Sequence, residues 1–182
     1  FSFNKGIWTV DGEYVHRGEI LLYYPEEVRF VQDKGSALFL HLGIDGVGTG
    51  FSAEFRRLER MEFRINNQLI EDQASLNYLP ALTKQHKYIL AGLYPYLVQS
   101  FGEIGGQIDF FHEWNRGCLE KNPLWLNMNA SWYNGLDGEA WWREIGFETE
   151  KEWGATWKTI LAFYFQSGSE FVLEGGRQDY MV

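Results

Sequence analysis

Phe51-Ser-Ala-Glu-Phe-Arg-Arg-Leu-Glu-Arg-Met-Glu-Phe-Arg-Ile65 alternates in polarity over most of its length. Successive side chains of a strand point to opposite faces, so this spacing predicts β-structure. Phe51, Ala53, Phe55, Arg57, Glu59, Met61, Phe63 and Ile65 share one face, which is apolar except for two charges. As one unbroken strand, the segment turns Arg57 and Glu59 toward a core or cavity, where charges must be paired or used. As a hairpin turning at Arg57 to Arg60, it leaves both charges in water.

The residues before this stretch punctuate themselves in the same way. Ile7 to Val10 meets the hairpin signal Asp11-Gly12 and resumes as Glu13 to Val15. Glu19 to Tyr24 stops at Pro25, Val28 to Gln32 turns over Asp33-Lys34-Gly35, and Ser36 to Leu42 follows. Gly43 to Gly50 reads as a glycine-rich loop. It lacks the Gly-Lys-Ser/Thr ending of a phosphate cradle and leads into a strand rather than a helix.

Beyond residue 65, Gln107 to Trp114 and Leu124 to Tyr133 read as a strand pair with a turn near Asn115 to Pro123, and Ser169 to Leu173 as a closing strand. Two segments read as helical. One is Ala81 to Leu93 behind Pro80. The other opens on the capping box Thr149-Glu150-Lys151-Glu152 and carries Trp153, Trp157, Ile160, Leu161 and Tyr164 at helical spacing. The expected fold is a single α+β, mainly β domain over residues 1–182. Its architecture is an antiparallel β-barrel or strongly curved sheet with the two helical segments packed on it, lipocalin-like (calycin-like) by architectural analogy alone.

Composition narrows the function classes. The 182 residues carry a net charge of −9, 45% are hydrophobic and 18% aromatic. Rings in such number fill a core or line a site for flat, apolar or sugar-like partners. No Lys or Arg run forms a track for phosphates, which argues against nucleic acid. No window approaches the ~18 apolar residues of a helical membrane span, so no membrane span is expected. A lone Cys118 excludes an intramolecular disulfide and suits a reducing compartment; Phe1 to Lys5 shows no signal-peptide character. The histidines at 16, 41, 86 and 112 are scattered, so no metal site is expected, and no cofactor has a fingerprint.

Two further faces join Arg57 and Glu59 as candidates. In Gln107 to Trp114, His112 lies among Ile108, Phe110 and Trp114, and a histidine there can exchange a proton near neutral pH. In Leu124 to Tyr133, one face holds Leu124, Leu126, Met128, Ala130 and Trp132. The other holds Trp125, Asn127, Asn129, Ser131 and Tyr133, which mixes rings with amides and hydroxyls. These features suggest a protein that binds a hydrophobic or aromatic small molecule in an aromatic-lined cavity, with Phe55, Phe110, Trp114, Trp125, Asn127, Asn129, Trp132 and Tyr133 contacting it. One form of this reading is a cofactor-free isomerase, cyclase or lyase using His112 and Glu59 as acid and base and Arg57 to steady negative charge. The alternative is a non-catalytic module that holds carbohydrate or protein on exposed Trp and Tyr side chains.

Overall fold

Aromatic and β-branched residues recur through the alternating segments, and such side chains fit a pleated surface better than a helix. A computed structural model describes residues 1–24, 29–61, 102–115, 122–136, 138, 140–154, 156–172 and 176–181. They form β1 (Ser2–Lys5), β2 (Trp8–Tyr24), β3 (Arg29–Gly46), β4 (Thr49–Glu59), β5 (Gly102–Trp114), β6 (Leu124–Gly135), β7 (Trp141–Glu152), β8 (Lys158–Val172) and β9 (Gly176–Met181). Each strand pairs antiparallel with its sequence neighbour in one nine-stranded sheet. Register shifts once, between Arg17 and Ile20, and is otherwise continuous from strand to strand.

This architecture corrects the expected α+β barrel with packed helices. Among the described residues the protein is all-β, and the sheet is open, with β1 at one edge and β9 at the other. The helix expected from Thr149 is a hairpin: Thr149 pairs with Leu161 and Glu150 with Ile160. Trp153 N–H donates to the Trp157 carbonyl at 3.2 Å to close the turn. Trp153 and Trp157, two of the residues at helical spacing in that reading, are exposed. Both faces of this hairpin carry rings, which blurs the period of two, and the turn shifts the phase of the aromatics to a helical spacing. The other expected helix, Ala81 to Leu93, lies outside the described residues, as does Cys118.

Three local turn assignments also change. The first turn is at Gly6, where φ is +63°, and β2 runs straight through Asp11-Gly12. Gly12 is selected by crowding rather than by a turn, because a Cβ there would strike the Phe1 ring. Strand β3 likewise passes through Asp33 to Gly35. The glycine-rich segment 43–50 is a continuous hairpin, with a tight turn at Val47-Gly48, where Gly48 takes φ +71°. The pair Gln107–Trp114 and Leu124–Tyr133 forms as read, Trp114 opposite Leu124.

Cross-strand glycines let rings lie flat on the sheet. Gly105 stands opposite Tyr133, and a Cβ there would run into the Trp132 carbonyl and the Tyr133 ring. Gly146 stands opposite Tyr164, whose ring lies 3.1 Å from where its Cβ would be. Gly105→Val should therefore destabilise the sheet by about 1–3 kcal/mol through overpacking. Gly154→Ala, with open space around it, should change stability by less than about 0.5 kcal/mol. Denaturant unfolding of the two variants measures the difference.

Candidate functional site

Continuous register carries the alternation of each strand across the whole sheet. One row of cross-strand partners reads Phe3, Val10, Leu42, Ala53, Ile108, Ala130, Ile145, Phe165. The row two residues along reads Lys5, Trp8, Ile44, Phe51, Phe110, Met128, Phe147, Phe163. Between them, on the opposite face, run Asn4, Thr9, Gly43, Ser52, Asp109, Asn129, Gly146 and Tyr164. A further row on that face reads Ser2, Asp11, His41, Glu54, Gln107, Ser131, Glu144, Gln166. One face is thus apolar and the other polar.

Burial runs opposite to that of a water-soluble sheet. On the polar face Glu103 is 0% exposed and Glu144 and Asn129 are 2% exposed. On the apolar face Ile145 is 55% and Phe163 63% exposed. A contiguous apolar surface of this extent marks an interaction with a partner or a membrane.

The polar face has two zones. Toward the ends of β4, β6 and β8, Arg56 forms a buried ion pair with Glu103 and lies 5.8 Å over the Tyr133 ring. Gln166 donates to Glu144 at 3.1 Å in the same region. Toward the β3–β4 turn, side chains hydrogen-bond one another around two clefts. Gln107 and Asn129 each donate to one oxygen of Asp109, at 2.6 and 2.7 Å. Tyr164 O–H donates to Glu148 at 2.9 Å, and His41 Nδ1 lies 3.3 Å from Asp11. One cleft, of about 240 Å³, is bounded by His41, Asp45, Ser52 and Asp109 with Phe111 and Asn127. The other, of about 220 Å³, is bounded by Trp125, Glu148 and Glu150 with the same Phe111 and Asn127.

Arg57, Glu59, Arg143 and Lys151 stand at the margins of the apolar face, where each is hydrogen-bonded. Arg57 Nη2 donates to Glu59 at 2.8 Å. Arg143 turns back to the carbonyls of Tyr133 and Trp142 at 2.8 and 2.6 Å and to Asn134 at 2.9 Å. Lys151 donates to the Asn122 carbonyl at 2.5 Å and lies 5.6 Å over the Trp153 ring. Past the apolar rows, where β2 and β3 extend together, Lys34 bonds Glu19 at 2.8 Å. That bond holds the carboxyl below its ordinary range and the ammonium above its own.

A family model described as "Family of unknown function (DUF6029)" matches residues 1–182. The chain belongs to this DUF6029 family. No curated protein and no solved structure matches it.

In this DUF6029 sheet the candidate residues divide between the two faces. Arg57, Glu59, Phe55, Phe110, His112, Trp114 and Trp132 belong to the apolar face, whereas Trp125, Asn127, Asn129 and Tyr133 belong to the polar one. Phe51 to Glu59 lies in one unbroken strand, so Arg57 and Glu59 do share a face with His112. The three are not brought together: Arg57 pairs with Ile104, eight residues from His112, or about 26 Å along the strand. His112 instead bonds Thr49 Oγ1 at 2.6 Å and meets the Trp114 ring edge-on at 4.3 Å. The reading of the sequence missed Arg56, Glu103, Phe111, Glu144 and Glu148. The alternation of Glu144, Gly146 and Glu148 with Ile145 and Phe147 was the signal available for two of them. Among the described residues no group of three or more His, Cys, Asp or Glu side chains could hold a metal ion.

Removing Arg56 alone breaks its buried ion pair with Glu103, a change that costs about 3–5 kcal/mol. Arg56→Met should therefore destabilise the sheet on that scale, and Arg56→Met with Glu103→Leu should recover most of the loss. Equilibrium unfolding of the single and double variants checks this; a single-variant loss under about 1 kcal/mol would contradict it.

Proposed function

We propose that the sheet is a membrane-spanning β-wall of the outer-membrane type, its apolar face toward lipid acyl chains and its polar face toward an aqueous interior. The observation that carries this is the pair of neighbouring cross-strand rows, one apolar from Phe3 to Phe165 and the next polar from Asn4 to Tyr164. Apolar-out, polar-in alternation is the pattern of transmembrane β-structure.

Strand length agrees. A tilted membrane strand needs about 9–11 residues, and β4 has 11, β6 12 and β7 12. Rings flank the apolar band, as amphipathic Trp and Tyr do at membrane interfaces. Trp8, Trp114, Trp153 and Trp157 stand toward the end with the Val47-Gly48 turn, and Tyr14, Trp132 and Trp141 toward the other. Arg57, Glu59, Arg143 and Lys151 at the margins can reach headgroups and water. The buried Asn129 Oδ1 and Ser131 Oγ have no partner among the described residues, which suits a hydrated polar side. Free edges do not persist in hydrocarbon, so in a bilayer β1 and β9 would each be hydrogen-bonded to a further strand.

Among the described residues no helix is long and apolar enough to cross a membrane. Strands cross by a different rule, to which an 18-residue window of hydropathy is blind. The outward rings and the separation of His112 from Arg57 and Glu59 favour this reading over an aromatic-lined cavity with acid–base chemistry.

Folding into phospholipid vesicles tests it. The wild-type chain should gain strand structure only with vesicles or detergent. Ile145→Arg, in the middle of the apolar band, should cost about 2–4 kcal/mol of folding free energy in the bilayer, and Ser52→Arg on the polar face much less. A stable fold in plain buffer, with Ile145→Arg neutral or stabilising, would refute the proposal.

A further inference from the structure

We propose that the two clefts of the polar face are adjacent subsites for an uncharged oligosaccharide. They share Phe111 and Asn127, which are direct cross-strand partners on β5 and β6, so they form one track with a ring and an amide at its centre. Trp125 supplies a second ring in the cleft bounded by Glu148 and Glu150. Sugar rings present C–H faces that stack on aromatic surfaces, while their hydroxyls donate to carboxylates and amides.

Cleft size and charge narrow the ligand. At about 240 and 220 Å³, each cleft falls below the roughly 300–1,000 Å³ of pockets for drug-sized molecules, which suits single sugar units in sequence rather than one large apolar ligand. Among the described residues no lysine or arginine lines either cleft, whereas Asp45, Asp109, Glu148 and Glu150 do. An anionic sugar would meet like charge at Asp45, Asp109 and Glu148. The acceptors are also held in place: Asp109 by Gln107 and Asn129, Glu148 by Tyr164, and Glu150 by Lys158 at 2.8 Å. Fixed acceptors beside rigid rings lower the ordering cost of binding.

The inference goes beyond the membrane reading and shares with it only the wetting of the polar face. Isothermal titration calorimetry of the full chain in detergent micelles tests it with maltohexaose and cellohexaose as neutral probes and a galacturonate hexamer as the anionic one. At least one neutral hexaose should bind, the galacturonate should not, and Trp125→Ala and Phe111→Leu should each weaken binding at least tenfold. Phe111→Leu keeps apolar bulk and removes only the ring, so it separates stacking from folding. Trp132→Ala, on the opposite face, should leave affinity unchanged. Absence of binding by both neutral probes, equal binding of the galacturonate, or full affinity in both ring variants overturns the subsites. Vesicle insertion without sugar binding sinks this inference alone, and sugar binding without insertion sinks the membrane reading alone.

Discussion

Side chains alternate with a period of two, so a slip of one residue between any pair of strands would exchange the faces of everything beyond it. The sheet from β3 to β8 holds its register without a slip, so Leu42, Ala53, Ile108, Ala130, Ile145 and Phe165 fall in one row. The continuous apolar surface, the buried polar side and the marginal position of the charges all depend on that constraint. The polar face also resists a slip. A shift between β5 and β6 would separate Asn129 from Asp109 and move the Tyr133 ring off Gly105.

The two faces solve different problems. Leu161, Phe163 and Ile145 stand exposed and need no partner within the chain if lipid surrounds them. Arg56 with Glu103 and Gln166 with Glu144 form buried pairs, as close-packed polar side chains require. Small residues make this possible, because Gly105 and Gly146 let large rings lie against the backbone instead of projecting. Aromatic residues are abundant, yet Tyr133 and Trp142 are the only rings among the buried hydrophobic residues that the structure describes.

The strand pair Gln107–Trp114 and Leu124–Tyr133 was legible because its alternation is regular and its turn residues are distinct. The division of Leu124 to Tyr133 into a ring-and-amide face and an aliphatic face was legible for the same reason. The hairpin of β7 and β8 was not. Thr149 to Glu152 mimics a helix cap, and Trp153, Trp157, Leu161 and Tyr164 fall at helical spacing only because a turn interrupts two strands. Nor does alternation reveal which face meets water. A half-buried soluble sheet and a membrane sheet share the same period, and they differ only in the rows summed across strands, which need the register. His112, Arg57 and Glu59 each interrupt an apolar alternation in the sequence, but that they share a face, and how far apart they lie on it, appears only once Thr49 is set opposite His112.

Solvent and lipid contact read residue by residue along β6 and β7 tests the central claim most directly. Nitroxide labels at single cysteines from 126 to 132 and 143 to 149, in a Cys118→Ser background in phospholipid vesicles, report collisions with oxygen, which partitions into lipid, and with a water-soluble nickel chelate. The account predicts a period of two in oxygen contact, maximal at 128, 130, 145 and 147 and low at 127, 129, 144 and 146, with nickel contact low at the four lipid-facing positions. Oxygen contact at 128, 130, 145 and 147 no higher than at their neighbours, or nickel contact there above that at their neighbours, would contradict it.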